Sequence, residues 1–114
     1  SLLSRYINQE VEEKTAISIS PKNLNDVAVV QYKRGELAKS YKTFEQAFRV
    51  MPRNPAIALN LLQASAMRRS REGKAEGNMN AVMKRCRFTL ESASLSEEQS
   101  QRYETVKGLL DQVV

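Results

Sequence analysis

The chain has 114 residues, of which 41% are hydrophobic and 27% charged, with no histidine, one cysteine and a formal net charge of +5. This length corresponds to a single domain. Histidine is the commonest general base and metal ligand, so its absence argues against catalysis and against a metal site. We therefore expect a protein that is not an enzyme and that needs no cofactor. No run of about 18 apolar residues occurs, so a membrane span is not expected.

The start of the chain and its single cysteine indicate its context. Ser1 is not an initiator methionine, and the residues after it lack the layout of a signal peptide. We expect a piece of a longer protein. Cys86 has no second cysteine with which to form an internal disulfide, which fits a reducing environment and a cytoplasmic location.

The first third of the chain carries signals for two helices. Apolar residues recur at helical spacing over residues 2–14, which predicts a leading amphipathic helix. Residues 15–19 alternate and are β-branched, as in an extended connector. Ser20 followed by Pro21 is typical of an N-cap and first helical turn, so a helix is predicted from Pro21 to about Arg34.

The middle of the chain continues as helices joined by a short and a long turn. Gly35 marks a tight turn, and a second helix is predicted over residues 36–51, antiparallel to the first. Pro55 opens a third helix, which we expect to end near Arg69. Residues 70–77 are polar and contain two glycines, which predicts a loop.

The last third predicts two more helices. Apolar residues at helical spacing indicate a helix over residues 78–93. Ser96 and Gln99 have the spacing of a capping box, so a final helix is predicted over residues 96–113. The sequence thus predicts an all-α domain of about six helices.

An internal repeat identifies a possible family. Residues 21–54 resemble a tetratricopeptide repeat over its whole length of about 34 residues. Large, small, aromatic and turn residues fall at the family's packing positions in one frame: Leu24, Val27, Ala28, Gly35, Ser40, Phe44, Ala47 and Pro52. Tyr32 lies one residue past the usual aromatic position, which Gln31 occupies. Residues 55–93 resemble a degenerate second repeat, in which an insertion within residues 70–77 lengthens the turn. The resemblance implies a superhelix of antiparallel helix pairs, closed by residues 96–113 as a capping helix.

The overall arrangement also resembles the C-terminal tetratricopeptide region of bacterial response regulators. In these proteins a phosphorylatable receiver domain precedes the repeats. The resemblance implies that the chain is the output or regulatory part of a two-component signalling protein, with a receiver domain upstream.

The repeat resemblance also implies a concave groove that binds a protein or peptide. The first helix of each repeat lines this groove, and amides there can bond to a peptide backbone. The groove residues expected to contact a partner are Asn25, Val29, Tyr32, Lys33, Asn60, Gln63 and Met67. Asn25 and Val29 occupy two places of the Lys and Asn set with which some family members clamp a C-terminal carboxylate, so that mode is disfavoured. One alternative stays open for the groove: ordinary surface residues, with the leading helix filling it. For the chain as a whole, a homodimer is a further alternative.

A cluster of basic residues lies between positions 68 and 87. It consists of Arg68, Arg69, Arg71, Lys74, Lys84, Arg85 and Arg87. Such a patch can be a solvated turn, or it can attract an acidic protein surface or nucleic acid. Nucleic-acid modules usually interleave aromatic residues with basic ones, and only Phe88 is near. We therefore predict a protein-interaction module, with a nucleic-acid-binding helical domain as the second choice. Cys86 lies on an apolar helix face and is expected to be a buried structural thiol.

Overall fold

The structure is a computed structural model that describes residues 20–73 and 77–112. These ranges contain five helices and no strand, which confirms the all-α class. In chain order the helices are α1 (Pro21–Lys33), α2 (Leu37–Val50), α3 (Pro55–Glu72), α4 (Met79–Ser92) and α5 (Glu97–Gln112). The predicted leading helix over residues 2–14 and the connector over residues 15–19 lie outside the described residues.

Side chains cap three helix starts, and the sequence predicted those at Ser20 and Ser96. Before α1, the backbone N–H of Asn23 donates to Ser20 Oγ at 3.2 Å. Asn54 does the same for α3, because its side-chain oxygen accepts from the N–H of Ile57 at 3.1 Å. At α5 the N–H of Gln99 donates to Ser96 Oγ (3.1 Å), and the N–H of Ser96 donates to the Gln99 side chain (3.0 Å). These bonds satisfy N–H groups that a helix leaves unpaired at its start, and they confirm the capping box.

The turn between α1 and α2 is as tight as predicted. Gly35 has φ +80°, in the left-handed region that favours glycine. The N–H of Glu36 returns to the carbonyl of Gln31 at 3.0 Å, which closes the end of α1. The turn brings α1 and α2 together as packed neighbours.

Helix α3 is longer than the sequence suggested, and this corrects the predicted loop. Residues 70–72 are helical, so Arg71 lies on the helix. The Arg68 Nε–Glu72 Oε2 ion pair (3.3 Å) spans one turn and supports this extension. The helix ends at Gly73, whose φ is +80° and whose N–H donates to the Arg69 carbonyl at 2.8 Å.

The helix starts are unevenly spaced along the chain. Helix α3 begins 34 residues after α1, at Pro55 and Pro21. Helix α4 begins 42 residues after α2, at Met79 and Leu37, which is eight more than the first interval. Helix α3 has 18 residues and α1 has 13, so the extra length of α3 accounts for five of these eight residues. The predicted loop over residues 70–77 is wrong for residues 70–72, which belong to α3.

Helix α3 lies at the centre of the domain. It packs against α2, α4 and α5, and more lightly against α1. A helix covered on several sides needs apolar residues around most of its circumference. Eight residues of α3 are buried: Ile57, Ala58, Leu59, Leu61, Leu62, Ala64, Ser65 and Ala66.

Small residues let the outer helices approach closely. Ala28 on α1 and both Ser40 and Ala47 on α2 are fully buried. The last turn of α4 is tied to the segment between α2 and α3, because Thr89 Oγ1 donates to the Pro52 carbonyl at 2.6 Å. This bond holds the C-terminal ends of α2 and α4 near one another.

We expect Leu62→Ala to lower the free energy of unfolding by about 2–5 kcal/mol. Leu62 is fully buried in α3, so the truncation removes apolar contacts and leaves a cavity. Urea unfolding followed by circular dichroism measures the change. Val50→Ala is the matched control, because Val50 is 62% exposed and should change the value by less than about 0.5 kcal/mol. Equal effects of the two variants would contradict the central position of α3.

Candidate functional site

Two polar residues interrupt the apolar surface of α3 where it faces α1 and α5. Asn60 Nδ2 donates to Asn25 Oδ1 at 2.9 Å, and Gln63 Nε2 donates to the Tyr32 hydroxyl at 3.0 Å. Arg102 on α5 then donates to both amide oxygens, with Nε to Gln63 Oε1 at 2.8 Å and Nη2 to Asn60 Oδ1 at 2.6 Å. These five residues, here called the polar network, connect three helices.

Arg102 is the charge at the centre of this network. Its side chain is half-buried, and burial lowers the pKa of the guanidinium, while Tyr32 and Glu98 act in the opposite direction. The two acceptors that it bonds are neutral amide oxygens. A guanidinium carries five N–H donors, so the two bonds leave donor capacity for a ligand.

The polar network borders a pocket of about 280 Å³. Its lining residues are Val29, Tyr32, Lys33, Phe44, Asn60, Gln63 and Arg102. The Tyr32 oxygen accepts from Gln63, so its own hydroxyl proton can be donated. The pocket therefore offers hydrogen-bond donors and positive charge beside two apolar side chains, an arrangement suited to carbonyl or carboxylate oxygens.

The structure brings together six of the seven predicted groove residues. Five of them line the pocket, and Asn25 joins it through its bond to Asn60. Met67 is half-buried on α3 and does not line the pocket. Sequence reasoning missed Arg102 and Phe44. The sequence does not distinguish Arg102 from an ordinary surface arginine, because it lies on a helix rich in polar residues. Only the packing of α5 on α3 brings it to the pocket.

The predicted basic patch does not line a single cavity. Arg68 and Arg71 border a shallow depression at the C-terminal end of α3. Arg68 also lies 5.5 Å from the centre of the Tyr41 ring. Lys84 and Arg85 border a different groove, while half-buried Arg87 lines neither cavity. Arg69 is half-buried on α3, and Lys74 lies outside the described residues.

A second groove lies between α2 and α4, where Lys84 and Arg85 border it. Its volume is about 850 Å³. We call it the α2–α4 groove. Arg49 and Arg53 reach it from the end of α2 and the segment after it. The sequence did not single out these two arginines, because basic and acidic residues outside positions 68–87 are equal in number over the chain as a whole.

Cys86 is fully buried on α4, as predicted for a structural thiol. Burial raises its pKa to about 12, with a smaller opposing effect from Arg85. A thiol with this pKa remains protonated at neutral pH and is a poor nucleophile.

The described residues contain no group of three or more acidic or cysteine side chains that could hold a metal ion. In the same ranges, no helix is long and apolar enough to cross a membrane. No model of a known protein family, no curated protein and no solved structure matches this chain.

Arg102→Met is expected to lower the free energy of unfolding by about 1–3 kcal/mol, because the oxygens of Asn60 and Gln63 lose their donor. Lys107→Met on the same helix removes an equal charge, but within the described ranges Lys107 forms its ion pair with Glu104 one turn away and lies over the Tyr103 ring. This control should cost less than about 1 kcal/mol. Thermal or urea unfolding of both variants compares them, and a smaller loss for Arg102→Met would argue against the polar network.

Cys86 should resist alkylation by iodoacetamide at pH 8 in the folded protein and react rapidly in urea. The raised pKa also has a consequence for stability. In the unfolded chain the thiol has its usual pKa of 9.0, so it loses its proton at a lower pH than the buried thiol does. The contribution of the protonated thiol to the free energy of unfolding is therefore complete below about pH 9 and is lost as the pH rises towards 12. Mass spectrometry of alkylated protein measures the reactivity. Rapid labelling without denaturant would contradict the burial of the thiol.

Proposed function

We propose that this chain is a protein-interaction module of tetratricopeptide type that binds an extended peptide segment in the pocket between α1, α3 and α5. The polar network is the observation that carries the proposal. It combines a half-buried arginine with a tyrosine hydroxyl and side-chain amides beside apolar residues. Such a set suits the backbone carbonyls and side-chain carboxylates of a peptide.

The arrangement of helices supports the assignment to tetratricopeptide repeats. The two helix pairs begin 34 residues apart, at Pro21 and Pro55, which is the repeat length of that family. The small residues Ala28, Ser40 and Ala47 are fully buried, as the packing of a repeat requires. Helix α5 then acts as the capping helix that covers the apolar face of the second pair. With the predicted leading helix, the domain would have six helices.

The broader role rests on resemblance to bacterial response regulators. We propose that the module is the output or regulatory part of a cytoplasmic two-component signalling protein. A receiver domain upstream would then control access to the pocket when it is phosphorylated. On this proposal the chain itself performs no catalysis.

A nucleic-acid-binding helical domain is the second candidate. The observation that favours it is the group of cations around the α2–α4 groove, where Arg53, Lys84 and Arg85 lie together with Phe88. Phosphate contacts would make such binding strongly dependent on salt. The pocket and the groove share no lining residue, so variants can distinguish the two candidates.

The test is a pull-down from bacterial lysate with the wild-type chain and with Tyr32→Phe/Arg102→Gln. We expect the wild-type chain to capture a protein from the lysate, and this capture should withstand nuclease treatment. The variant should capture about tenfold less of it, because two donors to the ligand are lost. Thr105→Val/Lys107→Gln on α5 is the matched control, and it should retain the partner because neither residue lines the pocket.

Circular dichroism of each variant establishes that it is folded before capture is compared. Equal capture by the Tyr32→Phe/Arg102→Gln variant would place the binding surface elsewhere. A signal that disappears with nuclease, and that is lost when Lys84 and Arg85 are changed to glutamate, would favour the nucleic-acid candidate instead.

A further inference from the structure

The α2–α4 groove has an apolar floor and one prominent exposed aromatic residue. Phe48 and Val82 form part of the floor and are almost completely buried. Phe88 is on α4 at the edge of the groove, with 75% of its surface exposed. Exposing a large aromatic side chain beside an apolar groove is unfavourable in water, and such features are typical of binding surfaces.

The charges around the groove are strongly unequal. Four cations border it, and Glu45 is the one carboxylate among its lining residues. Glu45 already pairs with Arg49 at 3.4 Å. Within the described part of the chain, Arg53, Lys84 and Arg85 form no ion pair. The groove therefore has an excess of positive charge, which an acidic partner would neutralise.

The shape of the groove also indicates what can occupy it. Helices α2 and α4 form its two walls, and the Thr89–Pro52 bond fixes the distance between their C-terminal ends. A groove between two helices with an apolar floor is a common receptor for a third, amphipathic helix. Such a helix would place apolar residues on the floor and acidic residues against the cations of the rim.

We propose that the α2–α4 groove is a second docking surface, which binds an acidic amphipathic helix from a partner protein. Phe88 inserts between apolar residues of that helix, while Lys84, Arg85 and Arg53 pair with its carboxylates. This surface is separate from the pocket that contains the polar network. The module can therefore hold two partners at once.

Nucleic acid is the competing occupant, and the groove is less suited to it. Non-specific binding of single strands depends on successive aromatic faces on which bases stack. Among the described residues that line the groove, Phe88 is the only exposed aromatic, since Phe48 is buried. The remaining floor is aliphatic, which favours the side chains of a protein.

The test uses the full chain labelled with ¹⁵N and two synthetic peptides of about 14 residues, long enough to become helical when bound. One carries leucines on one face and glutamates on both flanks, and the other has every glutamate replaced by glutamine. A single-stranded oligonucleotide is titrated separately. Nuclear magnetic resonance spectra should show shifts at Phe88 and Lys84 with the acidic peptide, while the signals of Tyr32 and Gln63 stay in place.

Matched variants measure the two contributions. Lys84→Glu should weaken binding of the acidic peptide by at least about fivefold, because a favourable charge pair becomes a repulsive one. Lys42→Glu makes the same change in net charge on an exposed residue of α2 outside the groove and should have little effect. Phe88→Ala should weaken binding by about tenfold, as expected for an aromatic anchor. Val50→Ala changes an exposed residue outside the groove and should leave the binding of the acidic peptide unchanged.

A charge exchange gives the sharpest outcome. A peptide with lysines in place of the glutamates should bind Lys84→Glu/Arg85→Glu more tightly than it binds the wild-type chain. The proposal is overturned if the acidic peptide causes no shifts at the groove, if Lys42→Glu weakens binding as much as Lys84→Glu, or if only the oligonucleotide binds there. Since Tyr32 and Gln63 report on the pocket, failure of this proposal is distinguishable from failure of peptide binding by the polar network.

Discussion

The burial of α3 is the constraint on which the rest of the structure depends. This helix is in contact with α2, α4 and α5, and eight of its eighteen residues are buried. Neighbouring helices pack closely only where their side chains fit between those of α3. The side chains of α3 therefore restrict the positions of the other helices. Leu61 and Leu62 are both fully buried, although adjacent residues on a helix point in different directions. Other parts of the protein therefore pack against α3 on both of these sides.

The same constraint explains the polar network. Asn60 and Gln63 are half-buried on α3, and amides that lose contact with water need hydrogen-bond partners. Asn25 and Tyr32 on α1 supply them, and Arg102 on α5 bonds to both amides. A network of this kind fixes the relative positions of three helices. Four of its five residues also line the pocket, so the same side chains hold the helices together and form the candidate binding surface.

The two candidate surfaces have different physical character. The pocket is lined by hydrogen-bonding side chains and by two cations, Lys33 and Arg102. This combination suits the recognition of polar atoms at defined positions. The α2–α4 groove presents an apolar floor and several cations, which suits a larger amphipathic partner and rapid electrostatic attraction. Helices α1, α3 and α5 form one surface and helices α2 and α4 the other, apart from the contribution of Phe44 to the pocket. The alternation of helices along the chain thus separates the two candidate surfaces.

The sequence by itself determined the class of structure and most of its helix boundaries. Local signals were sufficient, because Ser20 and the Ser96–Gln99 box form bonds within a few residues of their own position. The sequence did not determine where α3 ends, since its polar last turn looks like a loop until the Arg68–Glu72 pair is seen. Only the tertiary structure placed Arg102 in the pocket and separated the basic residues into different cavities. Those relations join residues far apart in the chain, and no local pattern encodes which helix faces meet.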